Sequence, residues 1–208
     1  MITKLPNIYL ITDRHQINQE NDYFDVIDEL LSAGVRMIQL REKDLPASEL
    51  YDYAIKLREI TRKYNSLLLI NDRVDIAQAV SADGVHLGKA SIPVTAARKL
   101  LGDHKLIGVS THGLKEAQTA QHDGADFITF GPVYETPSKV QYGQPVGTEA
   151  LQAVSKLVTV PIYALGGIKT EKIVEVTKCG ADGIAAISAL ISPPHPAQSF
   201  RKIRDQLK

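Results

Sequence analysis

At 208 residues, with 44% hydrophobic and 23% charged side chains, the chain has the size and composition of one globular domain with a sizeable core. Lys and Arg together number 24, as do Asp and Glu, so no net basic field draws a nucleic acid or an anionic membrane, and an anion must be held by a focused local site. Cys179 is the only cysteine, which excludes an internal disulfide and a cysteine-built metal cluster. No signal-peptide core follows Met1, and no apolar run nears the roughly 18 residues that cross a bilayer. The expectation is a soluble, cytoplasmic protein with neither nucleic-acid nor membrane partners.

In chain order, Ile8-Tyr-Leu-Ile-Thr-Asp13 predicts a short strand that ends on a carboxylate, and residues 14–22 read as polar loop. Phe24, Val26, Ile27, Leu30 and Leu31 then recur at helical spacing up to Gly34. A strand over about 36–41 follows, and Pro46 opens a long helix to about Tyr64. The alternation continues with strands at 66–72, 84–88, 106–111, 127–131, 161–167 and 183–188. Helices are predicted at 74–80, 93–101, 114–121, 148–157, 171–178 and 197–207, and a long irregular loop covers 132–147. Eight apolar strands without alternation, each followed by a helix, predict a parallel sheet covered on its faces, closed as a single (β/α)₈ TIM barrel over residues 1–208. An open doubly wound sheet is the rival, but no Gly-x-Gly-x-x-Gly follows the first strand. Ser81-Ala-Asp-Gly-Val, Gly124-Ala-Asp-Phe-Ile and Gly180-Ala-Asp-Gly-Ile repeat ahead of strands.

In such a barrel the chemistry lies at the C-terminal strand ends, and these are polar here, whereas the opposite ends are mostly small, apolar or Pro. Gln39, Arg41 and Lys43 lie two apart, so an extended segment would point all three to one side. Arg and Lys together suit a phosphate or pyrophosphate, unless these charges are simply solvated or paired with Glu42 and Asp44. Lys139, Asn71 and Ser110 could complete that cradle. Asp72 among such cations makes sense as a Mg²⁺ ligand, or else as a cap on the next helix. Gly166-Gly167-Ile168 with Ile187-Ser188 offers backbone N–H groups for a second phosphate, or forms a tight turn. His86 reads as barrel lining, whereas His112, at a strand end, is closer to the site. Tyr134 and Tyr142 are lid aromatics or loop packing.

These residues carry a resemblance. Tyr9-Leu-Ile-Thr-Asp-Arg, Gln39-Leu-Arg-Glu-Lys-Asp, Ile70-Asn-Asp-Arg-Val-Asp, Asp83-Gly-Val-His-Leu-Gly, Gly108-Val-Ser-Thr-His, Phe130-Gly-Pro-Val-Tyr-Glu-Thr-Pro-Ser-Lys and Ala164-Leu-Gly-Gly-Ile resemble, in order and over essentially the whole chain, the thiamine phosphate synthase family. The resemblance implies a barrel enzyme, a transferase that joins an aminopyrimidine methyl pyrophosphate to a (carboxy)thiazole ethyl phosphate and releases pyrophosphate. It implies that Gln39, Leu40, Arg41, Glu42, Lys43, Asn71, Ser110 and Lys139 bind the pyrimidine pyrophosphate, with Arg41, Lys43 and Lys139 catalytic. Thr136, Pro137, Ser138, Gly167, Ile187 and Ser188 would bind the thiazole phosphate. Asp72 would hold Mg²⁺ with the residue at position 91, where this chain has Ser and the family a second carboxylate. Lys89 stands where the family often has Gln. A related branch, the thiazole tautomerases, usually lacks the metal Asp and carries a His in the sixth-strand loop, where this chain has Pro132. A third alternative is a sensor that binds the phosphates without turnover. The partners expected are phosphorylated small molecules, and an apolar helical face could serve a homodimer.

Overall fold

Eight parallel strands close on themselves in sequence order, the last pairing with the first, in a computed structural model that describes residues 4–18, 21–136 and 144–207. They are β1 (Ile8–Ile11), β2 (Met37–Leu40), β3 (Leu67–Asn71), β4 (Gly84–Leu87), β5 (Leu106–Thr111), β6 (Phe127–Phe130), β7 (Ile162–Leu165) and β8 (Gly183–Ala186). Between them run α1 (Tyr23–Ala33), α2 (Ala47–Lys63), α3 (Val74–Ala79), α4 (Val94–Leu101), α5 (Leu114–His122), α6 (Gly147–Ser155) and α7 (Ile173–Lys178). After β8 come a one-turn α8 (Ser188–Ile191) and the closing α9 (Pro196–Asp205). This is the TIM barrel that the pattern of strands predicts. Two local expectations change. The polar segment after β1 contains a 3₁₀ turn, Arg14–Gln16, and α8 interrupts the run expected to lead straight to the last helix.

The strands read as continuous apolar runs because both of their faces are buried. Tyr9, Ile11, Met37, Leu69, Phe127, Tyr163 and Ala185 fill the barrel interior, while Leu10, Ile38, Ile70, Ile128 and Ile184 pack outward against the helices. Inside, the rings of Tyr9, Phe127 and Tyr163 meet edge to face with centroids 5.5–5.8 Å apart, the arrangement aromatic quadrupoles favour.

The repeated Ala-Asp ahead of β4, β6 and β8 has one structural meaning. Asp83, Asp126 and Asp182 each donate their amide to a carbonyl of the preceding strand, at Leu68, Ile107 and Ile162. Each carboxylate then accepts the amide of that same residue at 2.7–2.8 Å. Arg58 and Arg98 pair with the first two of these carboxylates. The N-terminal pole is therefore not simply small, apolar and Pro. Its carboxylates satisfy strand-end amides that would otherwise lack partners.

Candidate active site

All strands being parallel, their C-terminal ends share one mouth, and the described polar strand ends expected there are brought to it. Lys139, Pro137, Ser138 and Tyr142 lie outside the described residues.

The cationic stretch is built differently from a straight strand. β2 stops at Leu40, and a turn closed by the Leu45 amide on the Glu42 carbonyl carries Lys43, so Gln39, Arg41 and Lys43 do not share one extended face. They descend instead in depth: Gln39 is buried, Arg41 half-buried and Lys43 exposed. The side chains of Leu40 and Glu42 are engaged within the protein. Leu40 packs outward in the helix-facing core. The Glu42 carboxylate, 3% exposed, is consumed by the Thr12 hydroxyl at 2.7 Å and the Arg14 amide and guanidinium at 3.0 and 3.3 Å. Thr12 also accepts the Arg41 amide at 2.9 Å. Asp44 takes the Arg14 fork at 2.5 and 2.6 Å and the His15 ring at 3.0 Å, which holds its carboxyl well below the usual range. The acidic neighbours are therefore taken by Arg14 and His15, while Arg41 and Lys43 make no ion pair among the described residues. Thr12 and Arg14 were missed as site residues in the sequence, although both stand in the first quoted motif.

Asp72 does not cap α3. It sits at φ +59, a left-handed conformation that Asp tolerates, and its carboxylate turns toward the β4 loop. One oxygen accepts the Asn71 side-chain amide at 2.7 Å; the other takes the Gly88 amide at 3.3 Å and the Ser91 hydroxyl. Among the described residues no three His, Cys, Asp or Glu side chains converge on a metal. A carboxylate and a hydroxyl oxygen side by side are nevertheless hard donors of the kind Mg²⁺ uses when one or two carboxylates and substrate phosphates complete its shell.

Beneath the mouth, Gln39 donates to the Tyr9 hydroxyl at 2.9 Å, and its own buried carbonyl oxygen has no hydrogen-bond partner among the described residues. His86 lines the barrel as expected, and burial pushes its pKa down to about 3, so the ring is neutral. Its Nε2 lies 2.9 Å from the Ser110 hydroxyl. Gly108 makes room for this ring, since a Cβ there would fall 2.6 Å from His86 Nδ1. His112 is exposed and engaged by Glu116, away from this floor.

On the β5–β8 side the mouth opens into a cavity of about 580 Å³. Ser110, Thr136, Gly167, Ile187 and Ser188 line it together, so five residues predicted for the two substrates meet in one space. Gly166 and Gly167 have φ of +93 and +66. A side chain on Gly166 would also press on Pro132 at 2.5 Å, so these glycines are required by the close approach of the β6 loop. Tyr134 lies against that approach, its ring under Lys172 at 5.2 Å, and burial raises its pKa to about 12.

Comparisons with known proteins bear on the family and the fold. A family profile described as thiamine monophosphate synthase matches residues 8–190. A Geobacter sulfurreducens relative is 52% identical over 197 residues, 95% of this chain and 92% of its own. The thiamine-phosphate synthase of Clostridium novyi is 41% identical over 184 residues, 88% of this chain and 90% of its own. A solved structure of thiamine phosphate pyrophosphorylase from Pyrococcus furiosus superposes with a TM-score of 0.88 at 35% identity, covering 97% of this chain and 95% of that one. The chain belongs to the thiamine monophosphate synthase family.

Proposed function

We propose that the chain is a thiamine-phosphate synthase that joins an aminopyrimidine methyl pyrophosphate to a thiazole ethyl phosphate and releases pyrophosphate. Its relatives' names support the activity. The observation that carries the site assignment is the division of charge at β2. Arg14 and His15 take the carboxylates, leaving Arg41 and Lys43 without an ion pair among the described residues. Two cations left unpaired at a barrel mouth are a preorganised site for a polyanion, and preorganised charge acts most strongly where charge develops in the transition state. As the pyrimidine C–O bond breaks, Arg41 and Lys43 stabilise the departing pyrophosphate, and Lys139 joins them from the sixth loop. Gln39, with its free buried carbonyl oxygen, and Ser110, held by His86, orient the pyrimidine. Gly167, Ile187, Ser188 and Thr136, with Pro137 and Ser138, hold the thiazole phosphate so that its ring nitrogen faces the reacting carbon.

Asp72 would hold Mg²⁺, with Ser91 beside it as a neutral ligand. When bound, the ion supplies positive charge against the pyrophosphate oxygens.

The test is direct coupling. Purified protein with both substrates and Mg²⁺ is expected to form thiamine phosphate and pyrophosphate, and EDTA to stop it. Isomerisation of a thiazole carboxylate without metal and without coupling would establish the tautomerase reading instead. Binding of the phosphates without turnover would establish the sensor.

A further inference from the structure

We propose that Lys202, with Lys169 as its counterpart, supplies the counter-charge that holds the phosphate of the thiazole substrate and selects for the phosphorylated form. This rests on the reading above, which places that phosphate against Gly167, Ile187 and Ser188. Those groups are neutral, whereas a phosphate monoester carries about −1.5 to −2 charges near pH 7. Oriented amides orient such an anion but do not neutralise it.

The cavity answers this with two lysines. Among the described residues Arg41 and Lys43 do not line it, and the charged side chains that do are Lys169, Lys202, Glu135 and Glu171. Neither lysine makes an ion pair among the described residues, and the remaining basic group on the wall, His112, is engaged by Glu116. The two reach the cavity from different elements. Lys169 follows Gly167 by two residues at the end of β7. Lys202 comes from α9, which packs on α8, and α8 starts at Ser188.

The stretch of α9 that carries Lys202 is anchored. Phe200 and Ile203 on either side of it are 2% and 3% exposed, and Ser199 and Ile203 line the cavity with it. The neighbouring Arg204 is turned instead to Asp205. An exposed lysine on a well-anchored helix, lining the same cavity as Gly167, Ile187 and Ser188, has a simple electrostatic use. It contributes ground-state affinity for one substrate and takes no part in bond breaking.

Steady-state kinetics test this with Lys202→Ala, Lys202→Glu, Lys202→Arg and Lys169→Ala, each checked for an unchanged melting temperature. Lys202→Ala is expected to raise KM for the thiazole phosphate about tenfold, the scale of one charge-assisted hydrogen bond. Lys202→Glu should raise it further, Lys202→Arg should restore it, and Lys169→Ala should raise it less. The KM for the pyrimidine pyrophosphate and kcat at saturation should stay within about twofold, the pattern of lost uniform binding. Use of the unphosphorylated thiazole alcohol should be the same in all variants. An unchanged KM in both Lys202→Ala and Lys202→Glu overturns the proposal, as does an equal rise for both substrates. Should the wild-type protein not couple the substrates at all, the functional reading fails separately. Calorimetric titration of thiazole phosphate into wild type and Lys202→Glu then still decides the role of Lys202.

Discussion

The Ser91 hydroxyl donates to the Asp72 carboxylate across the ends of β4 and β3, and accepts the Gly88 amide at 2.6 Å as it does so. Ser91 therefore occupies, in space as well as in sequence, the position beside Asp72 where the family resemblance places a second carboxylate. A neutral hydroxyl satisfies Asp72 without repelling it, at the expense of charge for a divalent cation.

That exchange has a measurable consequence. Ser91→Asp is expected to tighten the apparent Mg²⁺ affinity on the order of tenfold, because an added carboxylate raises the ligand charge count. Two carboxylates so close also repel one another without metal, so the same variant should melt lower in EDTA and regain stability on adding Mg²⁺. Calorimetric Mg²⁺ titration and melting curves with and without the ion check both. A melting temperature indifferent to Mg²⁺ in the variant would remove the metal from this corner.

Lys43→Ala should slow turnover by about a hundred- to a thousandfold, the effect of removing one preorganised charge donor. Its melting temperature should not change measurably, because Lys43 is exposed and makes no ion pair among the described residues. Single-turnover release of pyrophosphate reads the effect on the chemical step.

Glu42 should behave in the opposite way. Its buried carboxylate ties Thr12 and Arg14 together, so Glu42→Ala should cost about 1–3 kcal/mol of stability by leaving those donors unsatisfied. Turnover should fall too, since Thr12 also holds the Arg41 amide. Glu42→Gln, which keeps an acceptor of the same shape, should recover more of the stability than Glu42→Ala. Urea denaturation of the three proteins decides the order.

His86 gives a pH dependence. Its folded pKa of about 3 lies below the ordinary 6.5 because burial disfavours the charged ring. Between these values the unfolded chain binds a proton that the folded chain does not. The stability from keeping the ring neutral is therefore fully present above pH 6.5 and is lost as pH falls toward 3. This single group contributes a slope of about 1.4 kcal/mol per pH unit. His86→Gln should flatten that part of the acid limb in urea denaturation at successive pH values. An unaltered slope would mean that other groups dominate it.

Much of this protein was legible as pattern. Apolar runs without alternation announced strands buried on both faces, and polar residues clustered at one end of them announced the mouth, because both follow from period and order along the chain. The Asp83, Asp126 and Asp182 echo was visible as a repeat, but not its meaning. Each carboxylate answers an amide on the preceding strand, a pairing over 15 to 20 residues that only closing the sheet creates.

The partition of charge at β2 belonged wholly to tertiary structure. Arg14, Arg41 and Lys43 look equivalent in sequence, as do Glu42 and Asp44. Which cations remain unpaired depends on β1 and β2 lying side by side, which brings Arg14 onto both carboxylates some thirty residues away. Lys202 was hidden for the same reason. A lysine on a closing helix looks like a solvated face until the packing of α9 on α8 places it on the cavity wall. Hydrophobic periodicity decides locally where strands and helices form. The choice of partner for a charged side chain depends on distances of a few ångströms between elements distant in sequence, and those exist only after the barrel closes.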